Sequence, residues 1–215
     1  MEPDRSLWKS MERWILLGAV VVLLIESGIR PVDRFTWVLE VSWVVVGIPA
    51  VLLVHRRAPL TMLLARLLAL HAVVLIVGGH YTYEKVPLGK WVSDWLSLER
   101  NHYDRLGHFL QGFVPAIMAR ELLLRRKVLE RGGWLFLFVT CICLAFSAFF
   151  EMLEWWAALA WGSGADAYLG SQGDVWDAQW DMLMALIGAI TALLLLSRVH
   201  DRQIAALESR TTEET

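Results

Sequence analysis

Residues 134–156 read WLFLFVTCICLAFSAFFEMLEWW, and no charge interrupts them before Glu151. A helix of about 20 such residues crosses a hydrocarbon layer of about 30 Å, and a helix apolar on all sides has no place on a water-soluble surface. The stretch therefore predicts a transmembrane helix, and the chain on either side repeats the pattern. Comparable apolar blocks run over Phe35–Val54, Leu60–Gly79 and Val175–Ser197, while Trp14–Ser27 is shorter and Asp104–Ala119 is the least apolar. The expected fold class is all-α: a polytopic integral membrane protein with six transmembrane helices in a single domain over residues 1–200. A polar cytoplasmic tail, read as a fraying helical extension, occupies residues 201–215.

Composition points the same way. Hydrophobic residues make up 57% of the chain and charged ones only 20%, with a mean hydropathy of +0.49; charged side chains at about a quarter of positions are usual for a soluble domain. Arg5, Lys9 and Arg13 before an apolar run also suit a signal peptide, but residues 26–31, ESGIRP, contain no small-x-small cleavage site, so the first helix is read as retained. Dense basic groups recur in alternate connections: Arg5 to Arg13, Arg56 with Arg57, Arg120 to Arg131, and Arg198 to Arg210. The positive-inside bias then places both termini in the cytoplasm. Arg125, Arg126 and Lys127 lie in one of these connections, where topology and anionic lipid account for them, so no nucleic-acid partner is expected.

Acidic and histidine residues gather at the opposite ends of the helices. Asp104, His108 and Gln111 are spaced by four and three residues, Glu151 and Glu154 by three, and Asp174, Asp177 and Asp181 by three and four. Such spacings put each set on one helical stripe, and all three sets end on the same side of the bilayer. His80, His102 and Glu26 can join them, as can Glu84 if the third helix continues one turn further. Carboxylates in a region of low dielectric need a compensating cation or proton. Arg100 and Arg105 are candidates from the chain itself, and a divalent cation is the other. The expected metal ligands are Asp104, His108, Glu151, Asp174, Asp177 and Asp181, with Asp181, Glu154 and His108 as catalytic groups. Mixed imidazole and carboxylate ligands suit zinc, manganese or iron, and carboxylates alone suit magnesium or calcium.

Other polar residues carry lesser roles. Cys141 and Cys143 point to different sides of one helix and are expected as inert buried thiols; His71 is expected as a neutral interhelical hydrogen-bonding group, and Arg66 as a residue reaching for the headgroups. Glu40 has no assigned role. The glycine-rich stretch from Gly162 to Gly173 suits turns or a mobile cover.

Three motifs resemble one family. NHYDRLGHFLQGFVP at 101–115, FFEMLEWW at 149–156 and LGSQGDVWDAQWDM at 169–182, with YTYEKVPLG at 81–89, are similar to the bacterial YjdF-like inner-membrane proteins, a family of unknown function. The resemblance covers Trp14 to Ser197 and implies the bacterial inner membrane as the location. A more distant similarity to VanZ-like membrane proteins rests on the Asp177–Gly188 segment and implies an envelope-related role. Three functions are compatible with these residues. One is a metal-dependent enzyme acting from the periplasmic side on an envelope lipid or its headgroup; the others are a structural or partner-binding membrane protein and a small-solute or proton-coupled transporter. Transport is disfavoured by how few ionisable residues, Arg66 and His71, the inner helix halves provide.

Overall fold

In a layer that offers no water, only intrahelical hydrogen bonds satisfy the backbone, so each apolar block winds into a helix. The computed structural model describes residues 5–57, 59–162 and 166–213. Its helices are α1 (Arg5–Ser27), α2 (Arg34–Arg57), α3 (Met62–Tyr81), α4 (Pro87–Leu96), α5 (Tyr103–Arg125), α6 (Gly133–Trp161), α7 (Asp166–Leu169) and α8 (Asp177–Glu213), with a 3-10 turn at Tyr83–Lys85. Four of them, α2, α3, α6 and α8, are long and apolar enough to cross a membrane. The chain is thus an all-α polytopic membrane protein. Helices α1 and α5, of 23 residues each, are as long as a crossing requires but fall outside that apolar standard.

For α5 the reason is its place in the bundle. It packs against α3, α6 and α8 and buries Asp104, His108, Gln111, Arg120 and Glu121 together with its apolar face. Those polar residues meet protein instead of lipid, so a helix of low hydropathy is accommodated. Its tightest partner is α8. A Cβ on Gly112 would overlap the Ala185 carbonyl, and one on Gly188 would overlap the Phe109 carbonyl, so two glycines facing each other's backbone set the α5–α8 distance. The central core runs through Ala116, Ile117, Val139, Ala189 and Ala192, all fully buried. The helix-end tryptophans Trp14, Trp91, Trp95, Trp134 and Trp176 are exposed, as an interfacial belt requires.

Several expectations are corrected. The polar and aromatic stretch between the apolar blocks that end at Gly79 and start at Asp104 contains α4, which starts with Pro87 at its first turn and ends on Ser97 in the left-handed conformation; it shows Trp91 and Trp95 stacked on its exposed face. Helix α3 stops at Tyr81, where Thr82 takes φ of 59°, so Glu84 does not continue its stripe and pairs with Lys85 at 3.1 Å. The C-terminal extension stays helical to Glu213, and its Ile204 is buried. Cys143 is buried but Cys141 is exposed. Arg66 pairs with Glu12 at 2.6 Å, and His71 Nε2 is buried with no hydrogen-bond partner, so the expected interhelical bond is not made. Residues 163–165, part of the suggested cover, lie outside the described residues.

Candidate metal centre

The site begins with one turn of α5. Asp104 and His108 lie four residues apart on its buried face, and His108 Nε2 stands 3.6 Å from Asp104 Oδ1. Helix α8 brings Asp181 from the other side, with Oδ2 at 4.0 Å from the same nitrogen. Helix α6 contributes Glu151, whose Oε1 is 3.6 Å from His108 Nδ1. The ligand atoms of Asp104, His108 and Asp181 all fall within 4.8 Å of one another, and all three residues are buried. This group can coordinate a metal ion.

Orientation of the imidazole sharpens that statement. His108 Nδ1 lies 3.0 Å from Gln111 Oε1, and with Nδ1–H donating to that oxygen, Nε2 presents a lone pair. The lone pair faces two carboxylates at distances beyond hydrogen-bond reach. Three electron-rich atoms thus surround a point with no donor between them. Ligands held about 2.0–2.2 Å from a common ion sit about 3–4 Å apart, and the separations of 3.6 and 4.0 Å match that spacing. Asp181 Oδ1 and Glu151 Oε1 are also buried and without a hydrogen-bond partner. Phe150 packs edge-on to the imidazole at 5.7 Å and keeps the ring in place.

Beside the cluster lies a cavity of about 20 Å³ lined by Glu40, Tyr83, Asp104, His108, Gln111 and Glu154 among others, room for about one water molecule. Glu154 therefore faces the same cavity as the histidine. Glu40 and Tyr83 were not expected there: Glu40 comes from the second turn of α2, and Tyr83 from the 3-10 turn. Tyr83 is seated by Gly78 and Gly107, since a Cβ at either would collide with its ring. Burial, then the neighbouring Glu40 and Asp104, holds its hydroxyl neutral, well above the usual tyrosine range. The motif YTYEK carried the signal that could have found it, an aromatic residue within a short polar turn after a Gly-Gly helix end.

At the mouth the arginines take up the remaining acids. Arg100 reaches Asp177 at 2.8 Å and Asp174 at 3.3 Å, Arg105 reaches Asp174 at 2.9 Å, and the Arg105 guanidinium lies 5.1 Å from the Trp180 ring centroid. His102 caps this edge with Nδ1 3.2 Å from Arg105; partial burial, then Arg105 and Arg100, holds its imidazole below the usual histidine range. Two of the sequence motifs meet here. Asn101 N–H donates to Gln172 Oε1 and Gln172 Nε2 donates back to the Asn101 carbonyl, each at 2.9 Å, tying the segment before α5 to the loop before α8. Glu26 is exposed, and His80 bonds the Ser27 carbonyl at 2.8 Å, so neither joins the cluster.

The opposite end of the bundle holds a second buried network that sequence reading missed. Glu121 accepts from Thr61 N–H at 3.1 Å and Thr61 Oγ1 at 2.6 Å and meets His200 Nε2 at 3.0 Å, while Arg120 bonds Asp201 at 2.8 Å. These groups satisfy one another and fasten α3, α5 and α8. The claim that this half holds few ionisable residues is therefore corrected. Between the two polar layers, Val114, Ala116 and Ile117 of α5 are fully buried.

A family model described as "Predicted membrane protein (DUF2238)" matches residues 12–202. The chain is also 50% identical over 185 residues to the Inner membrane protein YjdF of Escherichia coli (strain K12), covering 86% of this chain and 88% of that one. No solved structure matches it. With several apolar helices and this relative, the chain is a multi-pass protein of the bacterial inner membrane. Its buried Asp–His–Asp centre thus sits in a member of the DUF2238 family of YjdF-like inner-membrane proteins, to which this chain belongs.

Proposed function

We propose that the protein is a metal-dependent enzyme acting on an envelope lipid or its headgroup. The observation that carries this is the bare Nε2 of His108 between Asp104 and Asp181, with unpartnered oxygens of Asp181 and Glu151 alongside. In this reading Asp104, His108 and Asp181 bind a divalent cation and Glu151 completes the ligand set. Asp174 and Asp177, also expected as ligands, act at its rim through Arg100 and Arg105. An imidazole among carboxylates favours zinc or manganese over magnesium or calcium. Such an ion, when bound, supplies Lewis acidity at a phosphoryl or carbonyl oxygen.

The chain's own residues do the rest. Glu154 faces the cavity from a buried position and takes a proton from the attacking group, Tyr83 offers a neutral hydroxyl across it, and Phe150 lines it against the imidazole. Arg100 and Arg105, held by Asp177 and Asp174, form the polar edge of the site. Six crossings with both termini in the cytoplasm would open this edge to the periplasm; the lengths of α1 and α5 and the alternating basic connections support that arrangement. The fully buried apolar side chains of Val114, Ala116 and Ile117 favour a local site over a transport path.

The test is reconstitution into vesicles of bacterial inner-membrane lipid with zinc or manganese, followed by mass spectrometry of the lipids. A species altered by the native protein and not by Asp181→Asn supports the proposal. An unchanged lipid profile with both ions contradicts it.

A further inference from the structure

Between Tyr81, where α3 stops, and Tyr103, where α5 starts, the chain builds α4 over Pro87–Leu96. A helix of that length extends about 15 Å, half of a hydrocarbon layer of about 30 Å, so α4 cannot cross. Its side chains sort onto three faces. Gly89 and Ser93 are buried and form the protein face: a Cβ on Gly89 would overlap Asn101 Oδ1, and Ser93 Oγ donates to the Arg100 carbonyl at 2.6 Å. Lys90 and Asp94 pair at 3.5 Å with both side chains largely exposed, which makes a face for water. Leu88, Trp91 and Trp95 share the third stripe by helical spacing. Trp91 is 65% and Trp95 74% exposed, and their rings stack with centroids 6.3 Å apart.

The surroundings say what meets that third face. Helix α3 is long and apolar enough to cross the membrane, and only the short turn after Tyr81 separates its end from α4, so α4 starts at the membrane surface. There an indole sits at headgroup level with its apolar body toward the acyl chains, and a short helix with one apolar and one charged face lies flat, sunk by about 5–10 Å. The Lys90–Asp94 stripe keeps the other side of α4 in water, the arrangement of an interface. A second segment marks the same level. Val175, 85% exposed, and Trp176 directly precede α8, another helix suited to crossing. The two segments are tied together, because Asn101, seated against Gly89, exchanges two bonds of 2.9 Å with Gln172, and Arg100 reaches Asp174 and Asp177.

We propose that α4 is an in-plane interfacial helix: its Leu88–Trp91–Trp95 face, together with Val175 and Trp176, rests in the boundary between lipid headgroups and acyl chains on the side of the Asp104–His108–Asp181 centre. The partner is the bilayer itself. Arg100 and Asn101 are bonded to α4 or to the turn before it on one side and to Asp174, Asp177 and Gln172 on the other. The seat of α4 therefore holds the mouth of the centre at headgroup depth. This docking does not depend on the centre binding a metal or on any reaction there.

Single-cysteine variants in a background with Cys141 and Cys143 replaced, labelled with a nitroxide and reconstituted into vesicles of phosphatidylethanolamine and phosphatidylglycerol, test this by power saturation in electron paramagnetic resonance. Oxygen concentrates in lipid, and a nickel chelate stays in water. Labels at Leu88→Cys, Trp91→Cys, Trp95→Cys and Val175→Cys should respond several-fold more to oxygen than to the chelate, and labels at Lys90→Cys and Asp94→Cys the reverse. All six side chains are exposed, so none of these changes opens the core. Leu88→Cys and Val175→Cys also leave the Trp91–Trp95 stack intact, and they decide the matter where replacing an indole disturbs the helix. Chelate access at positions 88 and 175 equal to that at 90 and 94 would place this surface in water and overturn the proposal. Protection of positions 88, 91 and 95 from both reagents would mean that protein, such as a second copy of this chain, covers the face, and would overturn it equally.

Discussion

Gly112→Ala is the sharpest probe of how the bundle is assembled. The new methyl group would meet the Ala185 carbonyl of α8, and the reciprocal contact of Gly188 on the Phe109 carbonyl fixes the same pair of helices from the other side. Neither obstacle is a flexible side chain, so the overpacking cost falls at the upper end of the usual range, about 3 kcal/mol. Alanine recovers about 1 kcal/mol of intrinsic helix propensity over glycine, which leaves a net loss of about 2 kcal/mol. For a chain of this size 1 kcal/mol corresponds to about 2–4 °C, so Tm should fall by about 4–8 °C. Circular dichroism through a thermal scan in a fixed detergent measures it. Gly18→Ala is the control, because a Cβ at Gly18 meets nothing within 4 Å; that variant should keep or slightly raise Tm. A Gly112→Ala protein as stable as Gly18→Ala would refute the backbone contact between α5 and α8.

Two further outcomes concern the opposite end and the topology. Glu121→Ala removes the acceptor shared by Thr61, His200 and Arg125 and should cost about 3–5 kcal/mol because the partners stay buried. Glu12→Ala breaks the partly exposed pair with Arg66 and should cost under about 1 kcal/mol in the same thermal scans. In a background with Cys141 and Cys143 replaced, Asp94→Cys should react with a membrane-impermeant reagent from the periplasmic side and Lys127→Cys only from the cytoplasmic side. Labelling of both from one side would contradict an odd number of crossings between them.

How much of this was legible in the sequence follows from where each signal resides. Helices α2, α3, α6 and α8 announce themselves because lipid-facing residues must be apolar along a whole crossing. Helix α5 is weak in hydropathy for a structural reason, since its polar side chains point into protein. The stripes Asp104–His108 and Asp177–Asp181 could be read because four-residue spacing is local information. Arg100 and Arg105 could be named as counter-charges, but not how they divide between Asp174 and Asp177. Glu40 and Tyr83 reach the cavity only through the packing of α2 and the turn after α3. Glu121 and His200, 79 residues apart, look like ordinary polar residues near basic helix ends until the fold joins them. Helix α4 had a readable start in Pro87, obscured by the aromatic and charged residues that suit it to a membrane surface.

The central claim is that the carboxylates of α5 and α8 share one ion with His108. Elemental analysis of protein purified in detergent without chelator, then equilibrated with zinc or manganese and freed of excess, tests it most directly. The account predicts about one equivalent of a divalent metal per chain. It also predicts that the metal is lost in Asp104→Asn and Asp181→Asn variants that remain folded, and that Tm drops when the native protein is treated with chelator. Protein that takes up no zinc or manganese under these conditions, or folded variants that hold as much metal as the native chain, would contradict it.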